Sequence, residues 1–512
     1  MDYQNIPIEK FRFADPNRKT GDKKFDTKPV SYAKDVWIRF CKNKSSVVAA
    51  VIILLILLFA IFVPIFFATE YTSRPTDTTY LQYSKLLPRS PICYDMGLDF
   101  WDGCKEENVN ESQYLTYKAL ETETGTKVIK KVLGSSVDDS MPGASKTYYD
   151  VRIDSYYANG MTYLTLTKSQ FEDIQAWQLE NNIQVIYPMV DKKLIENTSL
   201  HSNANIWYKT DRKGAPIVNA NGEFENIYLS SGKADGYNSL RVEGDDGNYR
   251  YALIGGTETA PTYTVRVFKY NYFTYRYGHD CSFFFGTNAK GQDILTKLAD
   301  GARFSLVLAV AVSFVNLFIG AVYGAIEGYY GGVLDLAMER IIDVLGGIPS
   351  MVLMSLFQLH LASKIGPVWS LIFAFMLTGW IGMAARTRMQ FYRFKRQEYV
   401  LAARTLGAKD TRLMFKHIFP NAMGTLITGS VLSIPGVIFS ESSLTYLGIV
   451  NLESSTQTSV GTLLANGQDT FSSFPHIVLF PAVFIALLEI SFNLFGNGLR
   501  DAFNPSLKGI ED

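Results

Sequence analysis

The 512-residue sequence has no excess charge of either sign, because 49 Lys and Arg residues balance 49 Asp and Glu residues. Zero net charge provides no basic field to attract nucleic acid and no acidic excess of the kind that favours disorder. The motifs GxxxxGK[ST], HExxH, GxSxG and paired CxxC are all absent from the chain. We therefore expect no enzymatic activity, no nucleic-acid partner, and no metal or cofactor bound by this chain.

Cysteine is also scarce, and four residues are too few for a disulfide scaffold. Cys93 and Cys104 are close enough in sequence to close a short loop by a disulfide if that part of the chain faces an oxidising exterior. In the alternative, Cys93, Cys104 and Cys281 remain unpaired thiols. The sequence leaves both alternatives open.

Apolar runs long enough to cross a membrane occur near the N-terminus and in the C-terminal half. Residues 47–68 carry no charge, and as a helix of about 33 Å they would cross a hydrocarbon core of about 30 Å. A long polar stretch precedes this run and no clear cleavage site follows it, so we interpret it as an uncleaved anchor. Five further spans, each interrupted by Gly, Ser, Pro or a charge, are predicted at 304–326, 333–359, 366–385, 420–440 and 476–496.

Positive charge predicts the orientation of these six spans. Lys34, Arg39, Lys42 and Lys44 precede the first span. Residues 386–416, between the fourth and fifth spans, are also strongly basic. We expect both segments on the cytoplasmic side, and the four intervening spans are consistent with this. Both termini are then cytoplasmic, and residues 70–285 lie outside the membrane.

The external segment 70–285 is polar, rich in Tyr and Asn, and has the pattern of a folded domain. Alternating apolar and polar residues at 163–167 and 262–267 predict strands, and residues 171–182 predict a helix. We therefore expect an inserted α+β or mainly β domain of about 200 residues.

Between the fourth and fifth spans, residues 396–420 carry a distinctive pattern. Good helix formers occupy 398–405, and Gly407 can adopt a positive φ that ends a helix abruptly. Four side chains fall on one face of that helix: Tyr399, Ala402, Ala403 and Leu406. The small alanines would let another protein approach closely. We expect a short helical bracket that transmits force from a soluble partner. The alternative is an amphipathic loop that merely joins two spans.

This segment resembles the EAA loop of ABC-importer permeases, which docks in a groove of the ATPase subunit. Other segments resemble, in the family's order, motifs of the C-type permeases for dipeptides, oligopeptides and nickel. They are 286–293 (GTDxxGRD), 301–306 (GxRxSL), 328–349 (GYYGGxxDxxxxRxxDxxxxxP), 441–448 (ExxLSFLG) and 493–501 (NxxGDGLRD). The resemblance covers the first span and residues 284–507, about half of the chain.

Some positions depart from the family pattern. The acidic and basic residues of GTDxxGRD are Asn288 and Gln292 here, which puts charge-dependent roles in doubt. Glu339 stands where a Met often precedes the motif's Arg, and Val460-Gly461 stands where Trp-Gly is common. The family usually joins its first two spans by a short segment, so the resemblance implies no role for residues 70–285.

The resemblance implies an all-α polytopic membrane domain with six transmembrane helices, like a type I ABC importer, interrupted by the inserted domain. The implied divisions are a cytoplasmic segment 1–45, a transmembrane helix 46–69, the extracytoplasmic insertion 70–285, a permease core 286–499 and a cytoplasmic tail 500–512.

The implied function is that of a permease subunit in a bacterial cell membrane that imports oligopeptides or dipeptides. A homologous B-type permease would complete the path, two ABC ATPase subunits using ATP and Mg would bind below it, and a substrate-binding lipoprotein would bind above. The implied ATPase-coupling residues are Glu398, Tyr399, Ala402, Ala403 and Gly407. The implied path residues are Ser430, Ser433 and Glu441, for which helix packing or a structural contact at the helix end is the alternative.

Two other functions remain open from the sequence. One is a permease of the same family that carries nickel or another small solute, because the binding protein sets specificity. The other is a membrane-anchored receptor whose external domain is the functional part, although a receptor has no need of the Glu-Ala-Ala-Gly bracket.

Overall fold

The computed structural model describes residues 32–67, 71, 78–138, 146–191, 198–211, 215–222, 224, 247–453 and 457–503. Most of the implied N-terminal segment and C-terminal tail therefore lies outside the described residues. The described chain runs through two N-terminal helices, a folded insertion and a helical bundle.

The first two helices are α1, Tyr32–Lys42, and α2, Lys44–Phe66. Asn43 separates them and caps α2, because its side chain accepts a hydrogen bond from the Ser46 backbone N–H. Beyond Lys44, helix α2 carries no charge and leaves most of its surface unpacked by the rest of the chain. It is the first predicted span, and its outward surface is suited to lipid.

The insertion is α+β and contains two antiparallel sheets. The first has the strand order β1-β3-β2 and the second the order β4-β7-β5, with β6 also paired to β7. The strands are β1 Cys104–Asn110, β2 Ile129–Asp138, β3 Lys146–Asp154, β4 Met161–Thr167, β5 Ile186–Tyr187, β6 Ala252–Thr257 and β7 Ala260–Phe268. The helices are α3 Pro91–Asp95, α4 Glu111–Thr124, α5 Ser155–Ala158, α6 Lys168–Asn181 and α7 Lys269–Tyr277.

The local predictions for the insertion are confirmed. The alternating runs lie in β4 and β7, which pair antiparallel with Tyr163 opposite Arg266. The predicted helix is α6, whose N-cap residue Thr167 forms a capping box with Gln170.

Nine helices make up the described part of the bundle. They are α8 Ile294–Tyr330, α9 Gly332–Gly346, α10 Ser350–Ile365, α11 Pro367–Thr378, α12 Ile381–Phe394, α13 Glu398–Thr405, α14 Asp410–Tyr446, α15 Val460–Gly467 and α16 His476–Phe503. Helix α14 includes a π-helical turn over Leu413–Ile418. Among the described residues, five helical segments are long and apolar enough to cross a membrane, with α11 and α12 together forming one of them.

The third predicted span is wrong as a single helix, because α9 and α10 meet at a bend of 71°. The break contains Gly347 and Pro349, and a proline disfavours helical backbone at the residue before it. The bent pair still connects the two ends of the bundle. Ile342 on α9 packs near Trp380, whereas Leu353 on α10 packs near Leu308 in the first half of α8. Counted as one broken span, the pair gives the predicted six.

Helices α8 and α12 pack closely through a row of glycines on α8. A Cβ added at Gly320, Gly324 or Gly328 would collide with the backbone of α12 at Trp380, Ala384 or Arg388. The three glycines are four residues apart and lie along one helix face. These contacts bring the two backbones together at the end of the bundle that carries α13.

Candidate functional site

The segment 396–420, called the elbow from here on, consists of α13, a tight turn and the start of α14. Gly407 has φ +81°, and its N–H donates to the carbonyl oxygen of Arg404 at 3.0 Å. A Cβ at Gly407 would meet no atom within 4 Å, so the backbone angle alone favours glycine here. The helix therefore ends abruptly, as the sequence predicts.

Most of the predicted helix face is exposed, although Ala403 packs against the buried cluster described next and the Tyr399 hydroxyl accepts a hydrogen bond from Asn421 at 3.2 Å. Leu406 is 88% exposed, Glu398, Tyr399 and Ala402 are also exposed, and Ala403 is partly buried. The opposite face is anchored by Val400, which is fully buried in a cluster completed by Ala325, Tyr329, Phe391, Leu413, Met414 and Ile418. The elbow thus has a packed base and an unpacked outer face.

Tyr329, the first of the two tyrosines in the motif 328–349, joins the elbow to α8. Its hydroxyl donates to Asp410 Oδ1 at 2.5 Å and accepts from Arg404 Nη2 at 3.1 Å. Lys395 Nζ donates to the carbonyl oxygens of Gly328 at 2.7 Å and Tyr329 at 3.3 Å, at the C-terminal end of α8. Lys395, which precedes α13, and Arg404, in its last turn, are therefore both tied to the C-terminal end of α8.

An ion-pair network lies beside this junction and links α9 to α12. Arg388 binds Asp335 through two hydrogen bonds of 2.7 and 3.1 Å, and Tyr392 donates to the same carboxylate. Arg388 also lies 3.1 Å from Glu339, and its Nε is 3.6 Å from Glu327 on α8. Glu339, which replaces the family's Met, therefore has Arg388 as a cationic partner. Sequence reasoning missed Arg388 as the partner of the motif aspartate, since nothing in their spacing reveals the pairing.

Glu441 lies at a buried junction of three motifs. Its carboxylate accepts hydrogen bonds from Ser305 at 3.0 Å, Thr445 at 3.2 Å and Ser442 at 3.5 Å, and its side chain has no exposed surface. Gly461 matches the glycine of the Trp-Gly pair, and a Cβ added there would collide with Ser442 Cα, so this glycine permits the close approach of α15 to α14.

The three residues implied to line a path also make contacts within this chain. Ser433 Oγ donates to Ser313 Oγ at 3.1 Å, and Ser430 Oγ lies 3.5 Å from the Ser313 carbonyl oxygen. Both serines therefore face α8, as Glu441 does through Ser305. Each of these polar groups therefore has a hydrogen-bond partner on a neighbouring helix, and the path role stays a prediction.

Asn288 and Gln292 replace the acidic and basic residues of the family motif, and their uncharged side chains contact each other. Asn288 Nδ2 donates to Gln292 Oε1 at 3.0 Å, and Asn288 Oδ1 accepts from the backbone N–H groups of Lys290 and Gln292 at 2.9 Å. Asp293 then caps α8 by accepting from the Thr296 N–H at 3.1 Å. This loop fixes the start of α8 by neutral hydrogen bonds.

Cys93 and Cys104 are both free thiols in the structure. Burial, with the nearby carboxylates of Asp154 and Asp102, raises the pKa of Cys104 to about 12. A thiol with so high a pKa is largely protonated at neutral pH and is a poor nucleophile for disulfide exchange.

Comparison with known proteins places these motifs in a family. A family model described as "Binding-protein-dependent transport system inner membrane component" matches residues 316–509. A second, "N-terminal TM domain of oligopeptide transport permease C", matches residues 31–88. The oligopeptide transport system permease protein OppC of Bacillus subtilis is 41% identical over 224 residues, which are 44% of this chain and 72% of that protein. The chain therefore belongs to the family of binding-protein-dependent transport permeases that includes OppC.

Another relative supports the same assignment. The dipeptide transport system permease protein DppC of Bacillus subtilis is 39% identical over 225 residues, which are 44% of this chain and 69% of that protein. As a family member, the chain is a multi-pass membrane permease subunit of an ABC importer rather than an ATPase. Most of the insertion, from residue 89 onward, lies between the two matched segments.

A solved structure of the MetNI methionine ABC transporter in inward-facing conformations aligns with a TM-score of 0.34 and 14% identity. The alignment covers 41% of this chain and 96% of that chain. That score is too low to carry an argument about this protein.

Proposed function

We propose that this chain forms part of the membrane path of a peptide importer, and that separate ATPase subunits drive the path by moving the elbow. The observation that carries the proposal is the contrast between the two faces of α13. Val400 on one face is fully buried, whereas Leu406 at the tip is 88% exposed. A leucine left in water forgoes about 1.5–3 kcal/mol of burial free energy, so a protein groove is a favourable place for it.

The proposed ATPase contact uses the exposed residues that the sequence singled out. Glu398 offers a carboxylate and Tyr399 a phenol at the start of α13, and Ala402 leaves room for a close approach. Gly407 sets the angle of the turn through its positive φ. ATP and Mg would be held by the partner subunits.

The elbow is connected to the membrane helices by short, specific contacts. A displacement of α13 would be transmitted through Val400 and Arg404 to Tyr329 at the end of α8. The glycine row of α8 and the Arg388–Asp335 pair would carry it onward to α12 and α9. Tightly packed helices move as units, because their side chains have little free volume to absorb a shift.

We propose the remaining partners and the orientation from the family. A homologous B-type permease would complete the path, and a substrate-binding lipoprotein would deliver the solute from outside a bacterial cell membrane. The elbow and both termini would be cytoplasmic, in agreement with the basic residues of 386–416. Peptides are the proposed cargo because the most similar relatives reported above are named for oligopeptide and dipeptide transport.

Photo-crosslinking in the assembled transporter tests the ATPase contact. A photoreactive phenylalanine analogue would be placed at Leu406, with a matched control at Leu179, an 82% exposed leucine of the insertion. We expect an adduct with an ATP-hydrolysing subunit from position 406 and none from position 179. Absence of that adduct in an actively transporting complex would contradict the proposal.

A further inference from the structure

A ten-residue loop, 91–100, projects from the base of the insertion where the insertion meets the bundle. Its ends are held together, because Arg89 and Asp102 form an antiparallel bridge and the Ser90 N–H donates to the Trp101 carbonyl oxygen at 2.7 Å. Such closed, compact surface loops are frequently functional. Half of this loop is α3, which begins with Pro91 at a favourable helix position.

The outer side of the loop exposes three large apolar side chains. Ile92 is 69% exposed, Met96 63% and Phe100 59%. Ile92 and Met96 lie one helical turn apart on the same side, since the Met96 N–H donates to the Ile92 carbonyl oxygen at 3.1 Å. The inner side packs against the domain, with the Tyr94 ring 3.7 Å from the Arg89 guanidinium. The apolar side chains thus project away from the insertion.

Trp101 places this loop at the outer edge of the bundle. Its ring centroid is 5.7 Å from that of Phe284 and 5.8 Å from that of Phe480, and its indole N–H donates to the Phe284 carbonyl oxygen. Phe480 lies near the start of α16 and stacks on Phe285 at 4.1 Å. Aromatic residues are enriched at this depth, where a membrane helix meets the headgroups.

The side of the bundle beneath Trp101 is the side that carries α2. Phe480 packs in the same cluster as Ile56 and Phe59 of α2. Helix α2 has a mean hydropathy of 3.3 over its most apolar stretch, and only 22% of that stretch is buried within the chain. Its outward surface is therefore suited to lipid, and the contact of Trp101 with Phe480 places the loop next to this side of the bundle.

We propose that Ile92, Met96 and Phe100 insert into the outer headgroup region of the lipid bilayer, so that this corner of the insertion rests on lipid. The inference depends on the proposed extracytoplasmic location of the insertion. Side chains of this kind gain free energy when their apolar surface leaves water. Of the two acidic residues of the loop, Asp99 has a cationic partner, since Arg152 lies 3.6 Å from its carboxylate and donates to its backbone oxygen at 2.9 Å.

The test uses a fluorescent label on the full chain in nanodiscs that contain spin-labelled phosphatidylcholine. Met96→Cys would be labelled in a background in which Cys41, Cys93 and Cys104 are serine, with buried Cys281 retained. Val137→Cys is the matched control, since Val137 is 60% exposed and pairs with Thr147, seven residues along β3 from Asp154. That separation is roughly 23 Å along the sheet.

We expect headgroup-level spin labels to quench the fluorophore at position 96 at least twofold more than the one at position 137, with position 96 shielded from aqueous iodide. Phe100→Cys should behave like Met96→Cys, which guards against misfolding of one variant. Free access of iodide to positions 96 and 100 would overturn the proposal. Shielding from iodide without lipid quenching would also overturn it, because the occupant would then be protein.

Iodide access separates this inference from the proposed orientation. In sealed vesicles, the label at position 137 should be quenched only by iodide on the face that binds the substrate-binding protein. Quenching of position 137 from the ATPase face would reject the orientation itself. Quenching from the expected face without lipid contact at position 96 would reject the loop inference alone.

Discussion

The permease core and the insertion are stabilised by different kinds of contact. In the core, glycines bring helix backbones together and polar side chains meet at a few points, such as Glu441 with Ser305. In the insertion, aromatic rings fill the core, and Arg266 and Glu123 form a buried ion pair of 2.7 Å. The close contacts of the core therefore set the distances between helices. The aromatic and ionic contacts of the insertion stabilise the fold of the insertion itself.

This difference affects what each region tolerates. A glycine contact between helices has no spare volume, so any added atom must separate two backbones. A buried titratable group in a β-rich domain instead makes stability depend on pH. Glycine substitutions should therefore destabilise mainly the core, whereas a change of pH should alter mainly the stability of the insertion.

The largest expected effect comes from Gly324→Leu in the core. The new side chain would overlap the Ala384 carbonyl of α12, and we expect a cost above about 3 kcal/mol, because the clash is with backbone rather than with a flexible side chain. Detergent-solubilised protein should lose its thermal transition, and uptake should be abolished.

Gly382→Leu on α12 is the matched control for Gly324→Leu. A Cβ at Gly382 meets no atom within 4 Å, and leucine has the higher helix propensity. This variant should retain the melting temperature and uptake of the parent. Equal damage in both variants would show that close packing of α8 on α12 is not the cause.

A smaller effect is expected in the insertion, where burial lowers the pKa of Lys269 to about 8. Its Nζ donates to Asn159 Oδ1 at 3.0 Å, and it is the first residue of α7, where the helix dipole also disfavours a positive charge. In the unfolded chain the lysine pKa returns to about 10.4. Between about pH 8 and 10 the unfolded state therefore binds more protons, and stability should rise with pH by about 2 kcal/mol.

Thermal unfolding of the full chain in nanodiscs, followed by near-ultraviolet circular dichroism from pH 7.5 to 10, measures this trend. Lys269→Met should flatten it, and Lys297→Met on α8 should not. Above pH 10 the slope should reverse, because burial raises the pKa values of Tyr83 and Tyr156 and ionisation then favours the unfolded chain. A slope unchanged in Lys269→Met would exclude this lysine as its source.

Sequence patterns predicted the structure best where the pattern lies within a single helix, strand or turn. The uncharged run of α2, the alternation of β4 and the glycine that ends α13 are local features, and each has the predicted form. The sequence did not predict the bend between α9 and α10. A glycine in a membrane span can mark either a close contact between helices or a break in one helix, and the sequence does not distinguish these two cases.

The site was predictable only in part, because its residues meet across long separations. Helical periodicity predicted the exposure of Tyr399, Ala402 and Leu406, but the packing of Val400 and Ala403 depends on α8 and α14. The Arg388–Asp335 pair joins residues 53 positions apart, and Glu441 meets Ser305 across 136 positions. No spacing rule connects such positions, so the contacts that the two serines and Glu441 make with α8 could not be predicted from the sequence.

The most direct test of the central claim compares Gly407→Val with Gly407→Asn in the reconstituted transporter. Valine resists the +81° φ of this turn, whereas asparagine adopts it more readily, and a Cβ added here meets no atom within 4 Å. The measurement is the number of peptides imported per ATP hydrolysed. We predict that this ratio falls at least tenfold in Gly407→Val and stays near the parent value in Gly407→Asn, with both variants inserted normally. An unchanged ratio in Gly407→Val would contradict the role of the elbow as the part through which the ATPases drive transport.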